Sequence, residues 1–355
     1  MFNNKIIFIS GGTGSFGKKF IEILLNKYKP KKVIIYSRDE QKQVLLQQKW
    51  NTKKFSVVRY FIGDVRDLDR LKFAMMEVDI VIHAAALKHV DKAEYNPFEV
   101  IKTNILGAQN IITASIDSNV KKVIALSTDK ASSPVNLYGA TKLTSDKLFI
   151  AANNYTGRKK IKFSVVRYGN VLGSRGSVIP LFLKKKSEGF LPVTDKNMTR
   201  FNITLEEGVE FVLFSLKKMW GGEIFVPKIP SYRIIDLAKA ISPNARIKIV
   251  GIRPGEKLHE EMISQNDAQN TIEYKDYFVI TPNSQFINWD KKKYLKFNRL
   301  GKICHNEFTY NSKLNKKFLN IIKLKELVKK NLSNTSCSIC LCDFKKNNVI
   351  SETSC

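Results

Sequence analysis

Along the first 130 residues, short runs of β-branched and aromatic residues alternate with longer segments of helical spacing. Lys5–Ser10, Val33–Tyr36, Val57–Ile62, Asp79–Ala84 and Val123–Ser127 are near-continuous apolar runs. That is the pattern of strands covered on both faces, not of strands with one wet face. Between the last two, Pro97–Ser118 carries Phe98, Ile101, Ile105 and Ile112 at helical intervals. The alternation predicts βαβ units and hence a parallel sheet. Beyond about residue 170 the pattern becomes irregular. Helices are expected at Leu205–Lys218 and Ile234–Ile241 and short strands at Glu223–Val226 and Ile247–Val250, with Gly- and Pro-containing loops between. The expected fold class is α/β, a doubly wound parallel sheet with a smaller α/β C-terminal subdomain. Residues 1–170 form the first part, with some later segments returning to it; 171–332 form mainly the second; 333–355 are a disordered tail.

The first strand runs into Gly11-Gly12-Thr13-Gly14-Ser15-Phe16-Gly17, and a helix follows. Glycines at 11, 14 and 17 allow a tight turn, close approach of backbone to a pyrophosphate, and close helix–sheet packing. The helix N-terminus then offers free N–H groups to the phosphates. In this strand–turn–helix setting the segment reads as a Rossmann-type dinucleotide site, with Thr13, Ser15 and Phe16 inside the turn. The second strand ends in Ser37-Arg38, where an NAD-binding chain usually carries an acidic residue. A hydroxyl and a guanidinium suit a ribose 2′-phosphate, so NADP is the expected cofactor. Asp39, one residue further, keeps NAD open. Asp64-Val65 after the third strand would lie beside the adenine, or else belongs to the N-cap of a helix starting near Asp67.

The fifth strand leads into Ser127-Thr128-Asp129-Lys130, and Tyr138 and Lys142 follow on a helical segment. Four residues apart, these two share a helix face. A free phenol titrates near ~10. A neighbouring ammonium and a positive nicotinamide favour its phenolate, which makes Tyr138 a candidate general base.

These segments, together with Ala84–Val90, Ser127–Ala131, Arg167–Val171, Gly176–Pro180, Met198–Phe201 and Gly251–Leu258, resemble the extended short-chain dehydrogenase/reductases. Among those, the chain is most similar to the inverting UDP-N-acetylglucosamine 4,6-dehydratases of the pseudaminic acid pathway, over residues 3–330. The resemblance implies oxidation at the sugar C4, loss of water across C5–C6 and return of the hydride to C6. It gives Tyr138 the C4 hydroxyl proton, with Thr128 hydrogen-bonded to the same oxygen, and pairs Lys142 with the tyrosine. Asp129 would protonate the departing C6 hydroxyl. Lys130, where common sugar-nucleotide dehydratases have Glu, would take the C5 proton, although the two could exchange roles. For that task Lys130 should have a lowered pKa, from burial and a nearby cation. Ala84, Ala86 and Lys88 join the cofactor candidates. The implied substrate residues are Lys88, Asn170, Val171, Thr194, Arg200, Arg253 and Glu256, with Arg253 suited to diphosphate or sugar oxygens. Glu307 and Tyr310 resemble a family substrate segment more weakly and read almost as well as ordinary surface residues. Membrane-bound retaining dehydratases and soluble dehydratase/5-epimerases commonly have Met where Tyr138 stands. The expected partners are UDP-N-acetylglucosamine and further copies of the same chain. Open alternatives are a 4,6-dehydratase/5-epimerase or C4-epimerase for another UDP-sugar, or a non-catalytic NADP-binding regulator.

Composition changes this picture little. Lys and Arg total 60 against 32 acidic residues, a formal charge of +28. Such an excess can mark a nucleic-acid binder. Here the lysines are scattered and no aromatic-interleaved basic motif accompanies them, so they read as solvated faces that attract anions. No nucleic-acid partner is expected. No apolar run approaches the ~18 residues of a membrane helix, and the N-terminal run is short for a signal peptide. A soluble cytoplasmic protein without membrane contact is expected. Four of the five cysteines (Cys337, Cys340, Cys342, Cys355) crowd the tail, which argues against a disulfide framework. Four thiolates can hold zinc, but a second Cys-x-x-Cys knuckle is missing. His83 and His89 read as strand-end and loop residues, and no metal site is expected.

Overall fold

The computed structural model describes residues 1–334 apart from 52, 54, 174–177, 284–288 and 299. The expected tail from residue 335 onward, with its four cysteines, and Gly176-Ser177 lie outside the described residues. In chain order the strands are β1 (Ile6–Ser10), β2 (Lys32–Ser37), β3 (Val58–Ile62), β4 (Ile80–His83), β5 (Lys122–Leu126), β6 (Lys162–Val166), β7 (Phe190–Val193) and β8 (Thr199–Phe201). They continue with β9 (Ile224–Pro227), β10 (Ser231–Arg233), β11 (Arg246–Ile249), β12 (Glu261–Ile263), β13 (Thr271–Glu273), β14 (Tyr277–Ile280), β15 (Lys302–Ile303) and β16 (Tyr310–Asn311).

Ten of these strands make one sheet, in the order β15-β13-β14-β9-β6-β5-β4-β1-β2-β3. From β3 to β9 every neighbouring pair is parallel, with Ile7 opposite both Val33 and Ile80 at the centre. The order 3-2-1-4-5-6 is that of a doubly wound Rossmann-type sheet, as the alternation of apolar runs predicts. β14, β13 and β15 then add antiparallel to the far side of β9. Every residue of β1 is buried, which explains why its sequence is apolar without alternation. The helices Ser15–Lys27 and Leu205–Lys218 pack on one another, as do Leu68–Ala74, Gly107–Asp117 and Leu137–Ala151.

A second, smaller core gathers Leu172, Phe182, Leu191, Tyr232, Leu237 and Leu324. It lies among the helices Val178–Lys185, Ile234–Ile241 and Ile321–Asn334, the parallel pair β7–β11 and the antiparallel pair β8–β10. The first five strands fall within about two residues of their predicted bounds, and the helices Leu205–Lys218 and Ile234–Ile241 coincide with prediction. The predicted helix over Pro97–Ser118 contains an insertion: Pro97–Ile101 passes through a π-helical turn, Lys102–Leu106, before Gly107–Asp117. Among the described residues no helix is long and apolar enough to cross a membrane.

Candidate active site

Two clefts open along the C-terminal edge of the parallel strands, where ligands bind in open α/β sheets. The smaller, about 290 Å³, is lined by Gly11, Thr13 and Gly14 after β1, Ser37, Arg38, Asp39 and Lys42 after β2, Asp64 and Val65 after β3, and Ala84–Leu87 after β4. At its base the helix Ser15–Lys27 sits directly on the turn. A Cβ on Gly17 would lie 2.5 Å from the carbonyl oxygen of Gly12. Ser15 and Phe16 form the first turn of that helix rather than the lining, and Gly14, its N-cap residue, makes no side-chain cap. Within the turn the Gly11 and Gly12 amides donate to the Tyr36 carbonyl and the Gly14 amide to that of Gly11, which fixes the backbone at the floor of the cleft.

The side chains after β2 divide clearly. Ser37 bonds the Thr13 hydroxyl at 2.8 Å and receives the Asp39 amide at 3.3 Å. Asp39 caps the following helix by accepting the Lys42 amide at 2.9 Å, and its other oxygen pairs with the Lys42 ammonium. Arg38 is exposed, 3.4 Å from Asp64. Asp64 is also held by Arg66 at 2.9 Å, and although burial acts against it, Arg66 keeps its carboxyl below the usual range. Of the two readings open for Asp64-Val65, the helix cap belongs to Asp67, which accepts the Arg70 amide, while Asp64 and Val65 face the cleft. Lys42 is a further cation at this cleft, one that no motif of the chain marks.

The larger cleft, about 600 Å³, begins where the smaller ends: Lys88, His89 and Val90 line it, directly after Leu87. This connecting loop is pinned by Asn104. Its side-chain oxygen accepts the Leu87 amide at 2.9 Å, and its nitrogen donates to the Leu87 carbonyl at 2.9 Å and to the Thr141 hydroxyl at 3.1 Å. The π turn places Thr103 and Asn104 inward. Such insertions are frequent at functional sites.

Thr128, Asp129 and Lys130 follow β5, and a short 3₁₀ turn spans Asp129–Ala131. The helix Leu137–Ala151, capped by Asn136 accepting the Gly139 amide at 2.8 Å, approaches this turn so closely that a Cβ on Gly139 would collide with the Lys130 carbonyl. The contact brings Tyr138 against Thr128–Lys130. Asp129 is fully buried. One of its oxygens accepts from the Thr128 hydroxyl at 3.0 Å and the Lys130 ammonium at 3.1 Å; the other has no partner among the described residues. Burial, with help from Glu260, pushes the Asp129 carboxyl up despite Lys130. Lys130 also reaches Asn170 at 3.4 Å and Glu260 at 3.0 Å.

The expected lowering of the Lys130 pKa is not what the structure has. Burial does act downwards, but Asp129 and Glu260 outweigh it and hold the amine above its ordinary value. Lys130, rather than Lys142, is the cation with the largest effect on the tyrosine. Burial pushes the Tyr138 phenol up to about 12, and Lys130, together with a hydrogen bond shared with Thr128, works against that. Lys142 is buried, its pKa lowered by that burial and partly restored by Asp146. Asp146 in turn accepts from Ser127 at 2.7 Å and pairs with buried Arg167 at 3.2 Å. His83 hydrogen-bonds Ser10 at 2.8 Å through Nδ1, and burial drives it down to about 3.

Asn170, Val171, Thr194, Arg200, Arg253 and Glu256 all line the larger cleft. Arg200 is buried, donates to the carbonyls of Thr199 (2.8 Å) and Leu258 (3.1 Å), and pairs with Glu256 at 3.4 Å. Glu307 and Tyr310 do not join it. Glu307 is exposed, and the Tyr310 hydroxyl is engaged by the backbone of Ile229 at 2.9 Å in both directions. Glu260 and Lys257 are among the lining residues that no sequence motif singles out. Lys257 donates to the Ser132 carbonyl at 2.6 Å. Both lie in or beside the Gly251–Leu258 segment, whose density of charge is the only local signal for them.

Residues 7–282 match the model of a family described as polysaccharide biosynthesis protein. The UDP-N-acetylglucosamine 4,6-dehydratase (inverting) of Campylobacter jejuni subsp. jejuni serotype O:2 is 60% identical over 303 residues, 85% of this chain and 89% of that protein. A UDP-glucose 4-epimerase of Rickettsia bellii is 38% identical, over 92% of this chain and 96% of its own. Among solved structures, the X-ray structure of Pen from Bacillus thuringiensis superposes with a TM-score of 0.82 at 38% identity, covering 93% of this chain and 99% of that one.

Proposed function

The chain belongs to the polysaccharide biosynthesis protein family, and on that premise we propose that it is a UDP-N-acetylglucosamine 4,6-dehydratase that inverts C5. The observation that carries this reading is the Asp129–Lys130 pair beside Tyr138 at the larger cleft. A 4-epimerase, the activity named for the Rickettsia relative, needs one base at the C4 hydroxyl. Elimination of water needs in addition an acid at C6 and a base at C5, and a second pair of groups stands here for that.

The cradle of Gly11–Gly17, the Thr13–Ser37 pair and the exposed Arg38 fit a nicotinamide dinucleotide, and Arg38 with Lys42 favours NADP. Asp39 already has both oxygens engaged, which weakens its claim on a ribose hydroxyl. When bound, the cofactor supplies the two-electron acceptor at C4 and the donor at C6, and its positive charge favours the tyrosine phenolate. Tyr138 takes the C4 hydroxyl proton while Thr128 hydrogen-bonds the same oxygen. One proton moving along the 3.1 Å hydrogen bond from Lys130 to Asp129 converts the ion pair into a neutral acid and a free amine. The amine then takes the C5 proton, and the acid gives its proton to the leaving C6 hydroxyl. Buried Asp129 is suited to the neutral form. Asn170, Arg200 and Arg253 are assigned to the sugar and diphosphate.

The proposed setting is the cytoplasm, as a homo-oligomer, at the start of a route to pseudaminic acid. The test is incubation with UDP-N-acetylglucosamine in deuterated water followed by NMR. Loss of the C6 hydroxyl, deuterium at C5 and the inverted C5 configuration are expected. A product altered only at C4 would establish the epimerase reading instead.

A further inference from the structure

Glu260 immediately precedes β12 and is 2% exposed, yet it approaches the larger cleft. Its oxygens are unequal. Oε1 takes two cations, Lys130 at 3.0 Å and Arg200 at 3.6 Å, while Oε2 is buried without a hydrogen-bond partner among the described residues. A bare carboxylate oxygen in a protein interior is expensive, so the residue is retained against a penalty. Its backbone is fixed from another part of the chain, because the Glu260 amide donates to the Ser312 hydroxyl at 2.9 Å and its carbonyl accepts the Ser312 amide at 2.7 Å. The carboxylate is therefore a fixed point on which Lys130 and Arg200 converge.

Building on the dehydratase reading, we propose that Glu260 is a positioning residue of the elimination pair: through one oxygen it holds the Lys130 amine against Asp129 and keeps it apart from Arg200. Without that carboxylate, the Lys130 ammonium would meet the repulsion of Arg200 with Asp129 as its remaining anionic partner among the described residues. Arg200 has other anchors, namely Glu256 and the carbonyls of Thr199 and Leu258. Among the described residues Lys130 has only Asp129 and the Asn170 amide oxygen besides. The effect of Glu260 should therefore fall mainly on Lys130.

Other charged groups bear on the same point. From the loop after β4, Lys88 repels Lys130. Beside Glu260 itself, Lys257 is attracted to Glu260, Glu261 and Asp129 and repelled by Lys130. Tyr138, on the helix Leu137–Ala151, and Tyr232, in β10, sense Lys130 as well. None of these replaces a carboxylate at 3.0 Å. An opposite charge at this range typically moves a pKa by ~1–3 units. Removing it should lower both apparent pKa values of the Asp129–Lys130 pair, since each proton then leaves a less negative site.

The experiment compares wild type, Glu260→Gln and Glu260→Asp, each checked for folding by melting temperature. Wild-type turnover of UDP-N-acetylglucosamine is measured first; its absence would remove the dehydratase reading and leave the charge argument to the following measurement. The Lys130 amine is followed by ¹⁵N NMR, its resonance assigned by its loss in Lys130→Arg. Glu260→Gln should lower its midpoint by ~1–3 pH units and shift both limbs of the kcat profile in the same direction, with KM changed less than kcat. Glu260→Asp, which keeps the charge, should stay near the wild-type midpoint. A Glu260→Gln protein that melts earlier but leaves the Lys130 midpoint in place would overturn the proposal. If Glu260→Gln does not fold, a Glu260→Asp midpoint displaced as far as loss of the charge requires would do the same.

Discussion

Gly17→Ala tests the packing beneath the cofactor cradle. On an exposed helix this change gains up to ~1 kcal/mol from helix propensity. Here the new Cβ would lie 2.5 Å from the Gly12 oxygen and 2.6 Å from its carbonyl carbon and Cα, all of them backbone. Ordinary contact begins near 3.4 Å, so the helix and the turn must separate by most of an ångström. Overpacking of this kind costs ~1–3 kcal/mol. Set against the propensity gain, a net loss of up to about 2 kcal/mol is expected. The displaced turn should also weaken NADP binding by about tenfold or more, since the proposal assigns the phosphates to the same backbone. Gly14→Ala is the control: its Cβ would meet only the Gly11 oxygen, at 3.2 Å, so NADP affinity should suffer while stability changes little. Denaturant titration and calorimetric NADP binding measure the two effects separately. A Gly17→Ala protein with wild-type stability and affinity would refute the packing argument.

Arg38→Ala should weaken NADP by ~10–100-fold, as expected for loss of a charge-assisted bond, and leave NAD nearly unchanged. Global stability should barely move, because the exposed Arg38–Asp64 pair contributes little; equal losses for both cofactors in calorimetry would contradict the assignment. Tyr138→Phe should bind UDP-N-acetylglucosamine without any rise in reduced-cofactor absorbance, whereas Lys130→Ala should let that absorbance appear and persist, with C5 exchange slowed ~10²–10⁴-fold. Fast C5 deuterium exchange in Lys130→Ala would remove it as the base. His83 provides a pH signature. Burial pushes its pKa down to about 3, below the ordinary 6.5, so its stability contribution is complete above 6.5 and is lost as pH falls from there towards about 3. The slope approaches ~1.4 kcal/mol per pH unit, and denaturation of His83→Gln between pH 6.5 and 3 should show it reduced.

Where a motif is local, the chain could be read directly. The glycine turn, Ser37-Arg38, Thr128–Lys130 and Tyr138 are short-range arrangements, and they stand at the ends of strands whose apolar runs mark them. What escaped is what depends on distant partners. The charge state expected of Lys130 was reversed because Glu260, 130 positions away, supplies the second carboxylate. Lys142 stands on the predicted face of its helix, but tertiary packing makes Lys130 the cation with the larger effect on the phenol. Tyr310 looks available in sequence, while its hydroxyl is taken by Ile229. Asn104 acts only because a π turn inserts it, and hydrophobic periodicity averages over such a turn. β13 and β15, three and two residues long, are too short to leave a pattern.

The parallel sheet does not finish where the first half of the chain does. β6 waits for β9, which begins roughly sixty residues later, and β9 in turn is covered by β14. During synthesis, at about 5–20 residues per second, the unpaired side of β6 is therefore open for several seconds. Its Phe163, Val165 and Val166 are fully buried in the finished fold. An unpaired apolar strand is a template for pairing with another chain. A fragment ending near residue 170 would carry that edge permanently, so it should aggregate when expressed alone, and extending it through residue 282, past β14, should restore solubility.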